Sequence, residues 1–213
     1  MTSMMRTERS RRNFADEANR YDAKRERLVR CARSLAEQGD AAKVSVTDVT
    51  SEMGITRGLF YYYFGGKEEL GEAIIQTYVE DLLASMTPSC ESYDTREEAI
   101  KVIVDEIHRW LYEEDGSRKP IWHVSAELGL DGMLFNQTAD AVASLLIEKG
   151  LLIKYGKFTD EILFEHARFV ATGILGESRL RPELQTDMLC EAACAALRYR
   201  KRRAPGTDAD GEE

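Results

Sequence analysis

The chain lacks the features that several protein classes require. It has no apolar run near the ~18 residues of a membrane-crossing helix, and its opening, MTSMMRTERSRR, lacks the apolar stretch of a secretory signal. The expected home is the cytoplasm, with no membrane partner. Four cysteines, Cys31, Cys90, Cys190 and Cys194, are too few and too unevenly placed for a disulfide framework. No glycine-rich phosphate loop or nucleophile motif is present, and His108, His123 and His166 lie far apart in the sequence. With no catalytic constellation visible, no enzyme activity, cofactor or metal is expected. No fixed-period repeat and no convincing strand alternation is found, which leaves an all-α fold.

With 43% hydrophobic residues over 213 positions, the chain has enough apolar material for one large domain, or for a small domain joined to a larger one. Charge divides it. Residues 1–67 carry a net charge of +4, while the rest brings the whole to −9. A small basic module on an acidic body is compatible with nucleic-acid binding, because recognition follows the local potential of the contacting surface.

Residues 1–21, with Arg6, Arg9, Arg11 and Arg12, show no apolar period and are expected to form a flexible arm. From Asp22, a candidate N-cap, Leu28, Cys31, Ala32 and Leu35 follow the i, i+3, i+4, i+7 rule, with Gly39 as the stop. Ser45 and Asp48 form a capping box opening a short helix through Met53, with Val46 and Val49 turned inward. Gly54 breaks that helix and Thr56 caps the next, which Gly65-Gly66 soon ends. A long helix followed by two short ones around a glycine turn is the layout of a helix-turn-helix module. On the last helix Phe60, Tyr63 and Phe64 share one face at i, i+3 and i+4, so they are expected to close a small core. Arg57, Tyr61 and Tyr62 then point outward, where a phenol and a guanidinium suit phosphate oxygens; the plainer alternative is an ordinary solvated surface.

At residues 54–70 the chain reads GITRGLFYYYFGGKEEL, preceded by RERLVRCARSLAEQG and VSVTDVTSEMGI. These stretches resemble the tetracycline-repressor (TetR) family of bacterial transcription regulators over roughly residues 22–70. Departures are Leu35 for a common Phe, Gly66 for a capping Ser, Leu59 for a small polar residue, and a link from Gly39 to Val46 about one residue longer. The resemblance implies a helix-turn-helix DNA-binding domain at 22–68, a helical effector-binding and dimerisation domain at 69–203 and a disordered acidic tail at 204–213. It further implies that Ser45, Thr47, Thr56, Gly58, Tyr61, Tyr62 and Lys67 meet the DNA backbone or its surroundings. Arg57 would reach base edges, and Leu59 would touch a thymine methyl or merely pack.

After Leu70 the sequence reads as a second helical domain, with helices at about 67–86, 95–114, 132–149, 159–179 and 182–203 and a shorter one after Pro120. In residues 188–197 Glu191 is the sole charge, so that helix needs cover on two sides. Met188, Leu189, Ala192, Ala193 and Ala196 are the expected homodimer surface, and two reader modules then engage successive major grooves. Cys190 and Cys194, spaced i, i+4, are read as small packing residues, with metal contact or oxidation as the alternative. The basic end RYRKRR, 198–203, is read as complementing a helix C-terminus. The family resemblance implies an effector cavity after the reader module, a region that holds Tyr78, His108, Trp110, Tyr112, Trp122, His123, Glu127 and Phe135. Their chemistry fits a small hydrophobic or aromatic organic effector better than a sugar or a metal ion. The expected function is a ligand-responsive repressor that binds a palindromic double-stranded operator as a dimer. The alternative is a helical sensor of the same fold that has lost operator binding.

Overall fold

The computed structural model describes residues 2–89, 93–152, 159–181, 183 and 186–197. Among them are nine helices: α1 Thr2–Gln38, α2 Val46–Met53, α3 Arg57–Tyr63, α4 Lys67–Ser89, α5 Arg96–Leu111, α6 Ile121–Glu127, α7 Asp131–Glu148, α8 Asp160–Leu180 and α9 Thr186–Leu197. They fall into two compact units. The first holds the described residues up to Tyr78 together with Pro120–Gly132; the second holds Val79–Lys119 and the described residues from Met133 onward.

In the first unit α1 packs on α2 and α6, and α2 packs on α3. Leu28, Val29, Ala32 and Ala36 form the buried face of α1, and Leu70, Ile74, Ile75 and Tyr78 that of α4. The helix start differs from the expected one. α1 begins at Thr2 rather than at Asp22, since no glycine or proline interrupts residues 1–38 and alanine, arginine and glutamate favour helix. Its lower half is tied to α4 by a polar clamp. Tyr78 Oη donates to Glu37 at 2.7 Å, and Arg33 donates to the same carboxylate at 2.8 Å. Arg33 also donates to Thr77 Oγ1 at 3.1 Å while lying 3.9 Å over the Tyr78 ring. Partial burial pushes the Glu37 carboxyl up, but the hydrogen bonds from Arg33 and Tyr78, aided by nearby His123, outweigh it and hold the group below its ordinary range.

In the second unit α5 packs on α8 and α9, which pack on one another. The stripe Ile100, Ile103, Val104, Ile107 and Leu111 expected on α5 is buried throughout, and Thr95 with Glu98 caps that helix with a reciprocal box. Each such side chain contributes about 1.5–3 kcal/mol by leaving water. α5 stops at Leu111, not near Glu114. Residues 112–119 turn back on themselves instead: Lys119 donates its N–H to Leu111 O at 3.1 Å, and Gly116, at φ 80°, supplies the left-handed step of the turn. Tyr112 Oη donates to Ser178 O at 3.0 Å, which fastens this loop to α8. Of the expected 182–203, the described part of the helix is α9, Thr186–Leu197. The basic run 198–203 and the tail 204–213 lie outside the described residues, as does Cys90.

Candidate nucleic-acid interface

Local chemistry fixes the α2–α3 corner. Ser45 Oγ accepts from the Asp48 N–H at 3.3 Å while Asp48 Oδ2 accepts from the Ser45 N–H at 2.8 Å, so two exposed donors at the start of α2 are satisfied reciprocally. These bonds, with one from Ser45 Oγ–H, hold the Asp48 carboxyl below its usual range. Gly54 ends α2 at φ 62°, ψ 36°, the left-handed conformation that glycine adopts without strain, and the Ile55 N–H returns to Thr50 O at 2.9 Å. Thr56 then caps α3, its Oγ1 accepting from the Leu59 N–H at 3.2 Å. A cap uses the oxygen's lone pair; the hydroxyl keeps a proton to donate.

With the corner fixed, the five aromatic rings divide as their spacing predicts. Phe60, Tyr63 and Phe64 are buried, and the Phe60 and Phe64 centroids lie 5.7 Å apart. Tyr61 is 56% and Tyr62 66% exposed. Arg57, also exposed, reaches from α3 to α2, where its Nη2 donates to Thr47 Oγ1. Two residues expected at DNA from separate helices are therefore brought together. Gly58 lies exposed beside them, and Leu59 is half-buried. Val46 is only half-buried on α2, its expected inward place being shared instead by Val49 and Thr50. Ser45 spends its hydroxyl on the capping box. Lys67 is half-buried, its Nζ donating to Ala42 O at 2.5 Å, which ties the start of α4 to the link after α1. At that start Glu69 accepts from the Gly65 N–H at 2.6 Å, which satisfies a donor just ahead of the helix.

Tyr21 is the residue that sequence reading missed. It falls within the expected flexible arm, yet its ring lies 4.7 Å from that of Tyr63 and 5.5 Å from that of Tyr62 in an edge-on contact. The signal was its place seven residues before Leu28, on the same face of α1. Arg25, one turn on, stands 4.7 Å over the Phe64 ring. α1 thus supports both the buried and the exposed rings of α3.

The residues expected around an effector are divided between the units. Tyr78, Trp122, His123 and Glu127 belong to the first, and His108, Trp110, Tyr112 and Phe135 to the second. Tyr78 and Tyr112 are buried, with their phenols in the internal hydrogen bonds already described. Burial pushes the titration of both upward. His108 stacks 5.0 Å from Tyr112, while Trp110, Trp122, His123 and Phe135 are half-buried. Glu127 accepts from the Ala41 N–H at 2.5 Å and lines a cleft of about 450 Å³ with Lys67, Glu68, Gly71, Glu72 and Leu130.

On α9, Leu189 and Ala193 are buried within their own unit, whereas Met188, Ala192 and Ala196 are exposed. α8 carries a larger apolar display. Ile162, Phe169 and Leu180 are exposed, the last two by 74% and 79%, and Gly173 and Gly176 between them have open space where a Cβ would stand. With His166 these residues repeat at alternating steps of four and three along one side of the helix.

Residues 28–74 match the family model for bacterial regulatory proteins of the tetR family. No curated protein matches the chain. Among solved structures, the TetR family repressor AlkX from Dietzia sp. strain DQ12-45-1b, implicated in biodegradation of n-alkanes, aligns at 19% identity over 81% of this chain and 92% of its own, TM-score 0.56. RolR in complex with resorcinol aligns at 18% identity over 84% of this chain and 88% of its own, TM-score 0.53. A protein described as a TetR-family regulator from Mesorhizobium loti MAFF303099 aligns at 16% identity over 84% and 95%, TM-score 0.52. At such identities the likeness is one of fold. The family model on the reader helices and the likeness in fold over more than four-fifths of the chain together support a regulator of the tetR family, whose members are DNA-binding regulators of transcription.

Proposed function

We propose that the protein is a ligand-responsive repressor that binds a palindromic operator as a homodimer and leaves it when a small organic molecule binds. One observation carries the DNA part of this reading: the exposed row of Arg57, Tyr61 and Tyr62, braced by Thr47 on one side and Tyr21 on the other. Tyr61, Tyr62 and the Thr56 hydroxyl donate to phosphates and set the register; Arg57 exchanges its bond to Thr47 for a base edge and reads the sequence.

The dimer reading rests on the α8 stripe of Ile162, Phe169 and Leu180 with Met188, Ala192 and Ala196 of α9. Large apolar side chains flanking two glycines suit a close, self-complementary helix contact. The effector reading rests on the aromatic residues at 108–135 and on the likeness in fold to RolR, whose ligand is resorcinol. A flat, mostly apolar organic molecule is the matching class. Such an effector releases DNA only through a higher affinity for the DNA-free arrangement.

A gel shift on the DNA upstream of the protein's own gene, repeated across salt concentrations, tests the proposal. The expected result is specific binding that weakens steeply with salt, and its reversal by at least one member of a panel of small aromatic compounds. Equal retention of operator and scrambled DNA would leave a helical sensor without an operator.

A further inference from the structure

Cys190 and Cys194 lie one turn apart on α9, at the edge that faces α5, and their Sγ atoms are 4.0 Å apart. They line an open cleft of about 290 Å³ with Glu97, Glu191 and Ala195. Cys190, half-buried, directs its thiol at Glu97 O, 3.8 Å away; Cys194 is buried. Burial, and then the neighbouring Cys194, push the Cys190 thiol up to about 11, so it remains protonated near neutrality. The pair belongs to the second unit, whereas the reader helices belong to the first.

The helix itself decides what this pair can do. Side chains at i and i+4 have Cβ atoms about 5–6 Å apart, whereas a disulfide requires about 3.5–4.5 Å. Direct S–S closure would have to distort α9. A bridge with one atom inserted between the sulfurs spans the wider gap without distortion. Among the described residues no group of three or more His, Cys, Asp or Glu side chains is placed to hold a metal ion, so a cation that demands three or four protein ligands is not served here. The fitting ligand is soft, binds two sulfurs and carries its remaining substituent itself.

We propose that Cys190 and Cys194 form a dithiol site for monosubstituted trivalent arsenicals, with the organic substituent lying in the cleft beside Ala195 and Glu97. In the capture step two As–OH bonds break and two As–S bonds form. Each thiol proton departs with a hydroxide as water, and arsenic remains trivalent. No oxidant or reductant takes part. The second sulfur closes a ring on an arsenical already held by the first, so the pair binds about 10²–10⁴-fold more tightly than one thiol alone.

The test uses phenylarsine oxide and the full chain, with no DNA. Native mass spectrometry is expected to show one phenylarsenical per chain and the loss of two thiols reactive to a disulfide reagent, both restored by excess dithiothreitol. Cys190→Ser is expected to lower retention by about 10²–10⁴-fold, and a Cys31→Ser, Cys90→Ser double variant to leave it unchanged. Because Cys194 is buried, Cys194→Ala is compared only after its circular dichroism matches that of the parent; if it fails to fold, Cys190→Ser decides the matter. Retention unchanged in Cys190→Ser, or lost in the double variant, overturns the assignment. Rapid closure of a Cys190–Cys194 disulfide by diamide would overturn the geometric argument.

Discussion

The two units expose different kinds of large side chain. In the first, the exposed large hydrophobic residues among those described are tyrosines, Tyr61 and Tyr62, each with a phenol at its outer end. Among the described residues of the second they are Ile147, Ile162, Phe169, Leu180 and Met188, which have nothing polar to offer. An exposed tyrosine is at rest in water and ready for an acceptor such as phosphate; an exposed Phe or Leu in a row is a surface that gains by being covered. The contrast agrees with the proposed partners, nucleic acid for the first unit and a second copy of the chain for the second.

The largest expected effect comes from putting charge on the apolar surface. Phe169→Glu with Leu180→Glu is expected to halve the mass in sedimentation and to weaken operator binding by about 10²–10⁴-fold, since the second reader no longer binds as part of one molecule. Unchanged mass would move the interface elsewhere. Like charges at Ala192 and Ala196 test the α9 share of the same surface.

Within the first unit, Arg57→Ala and Tyr62→Phe should separate reading from holding. Loss of Arg57 is expected to remove ~1–3 kcal/mol of discrimination between operator variants. Loss of the Tyr62 phenol should weaken all sequences alike. An Arg57→Ala protein that ranks the variants as its parent does would remove Arg57 from the role of base reader.

How much of this was legible in the sequence depends on range. Caps and turns are local, so Ser45, Asp48, Gly54, Thr56 and the split of Phe60 to Phe64 could be read from neighbours within four residues. Tyr21 could not, because its partners Tyr62 and Tyr63 are about forty positions away and only folding brings them to it. α8 shows another limit. It has an inner row, Leu163, Val170 and Ile174, as well as the outer one, and periodicity alone does not say which row its own unit takes. The expected surface on α9 had the same ambiguity, and Leu189 and Ala193 fell on the buried side.

The smallest expected effect is on stability in acid. The carboxyl of Glu37 titrates below its unfolded value, so the clamp with Arg33 and Tyr78 is fully present above the ordinary glutamate range and is lost as pH falls through the lower folded value. Between neutral pH and about pH 3 the parent should therefore lose more melting temperature than Glu37→Gln, by about 2–4 °C. Arg33 from α1, Tyr78 from α4 and His123 from α6 all face this carboxyl. Equal loss in the two proteins would show that the clamp carries no pH-dependent stability.

The insertion of α6 into the first unit has a consequence for synthesis. Glu127 accepts the Ala41 N–H, and the unit takes in Pro120–Gly132, although its other part ends at Tyr78. A ribosome must therefore make residues 79–119, which belong to the other unit, before the first can be finished. At about 5–20 residues per second the nascent reader waits a few seconds for its last segment. During that wait the link after Gly39 lacks its acceptor from α6, and the chain emerging in the interval carries the apolar stripe of α5.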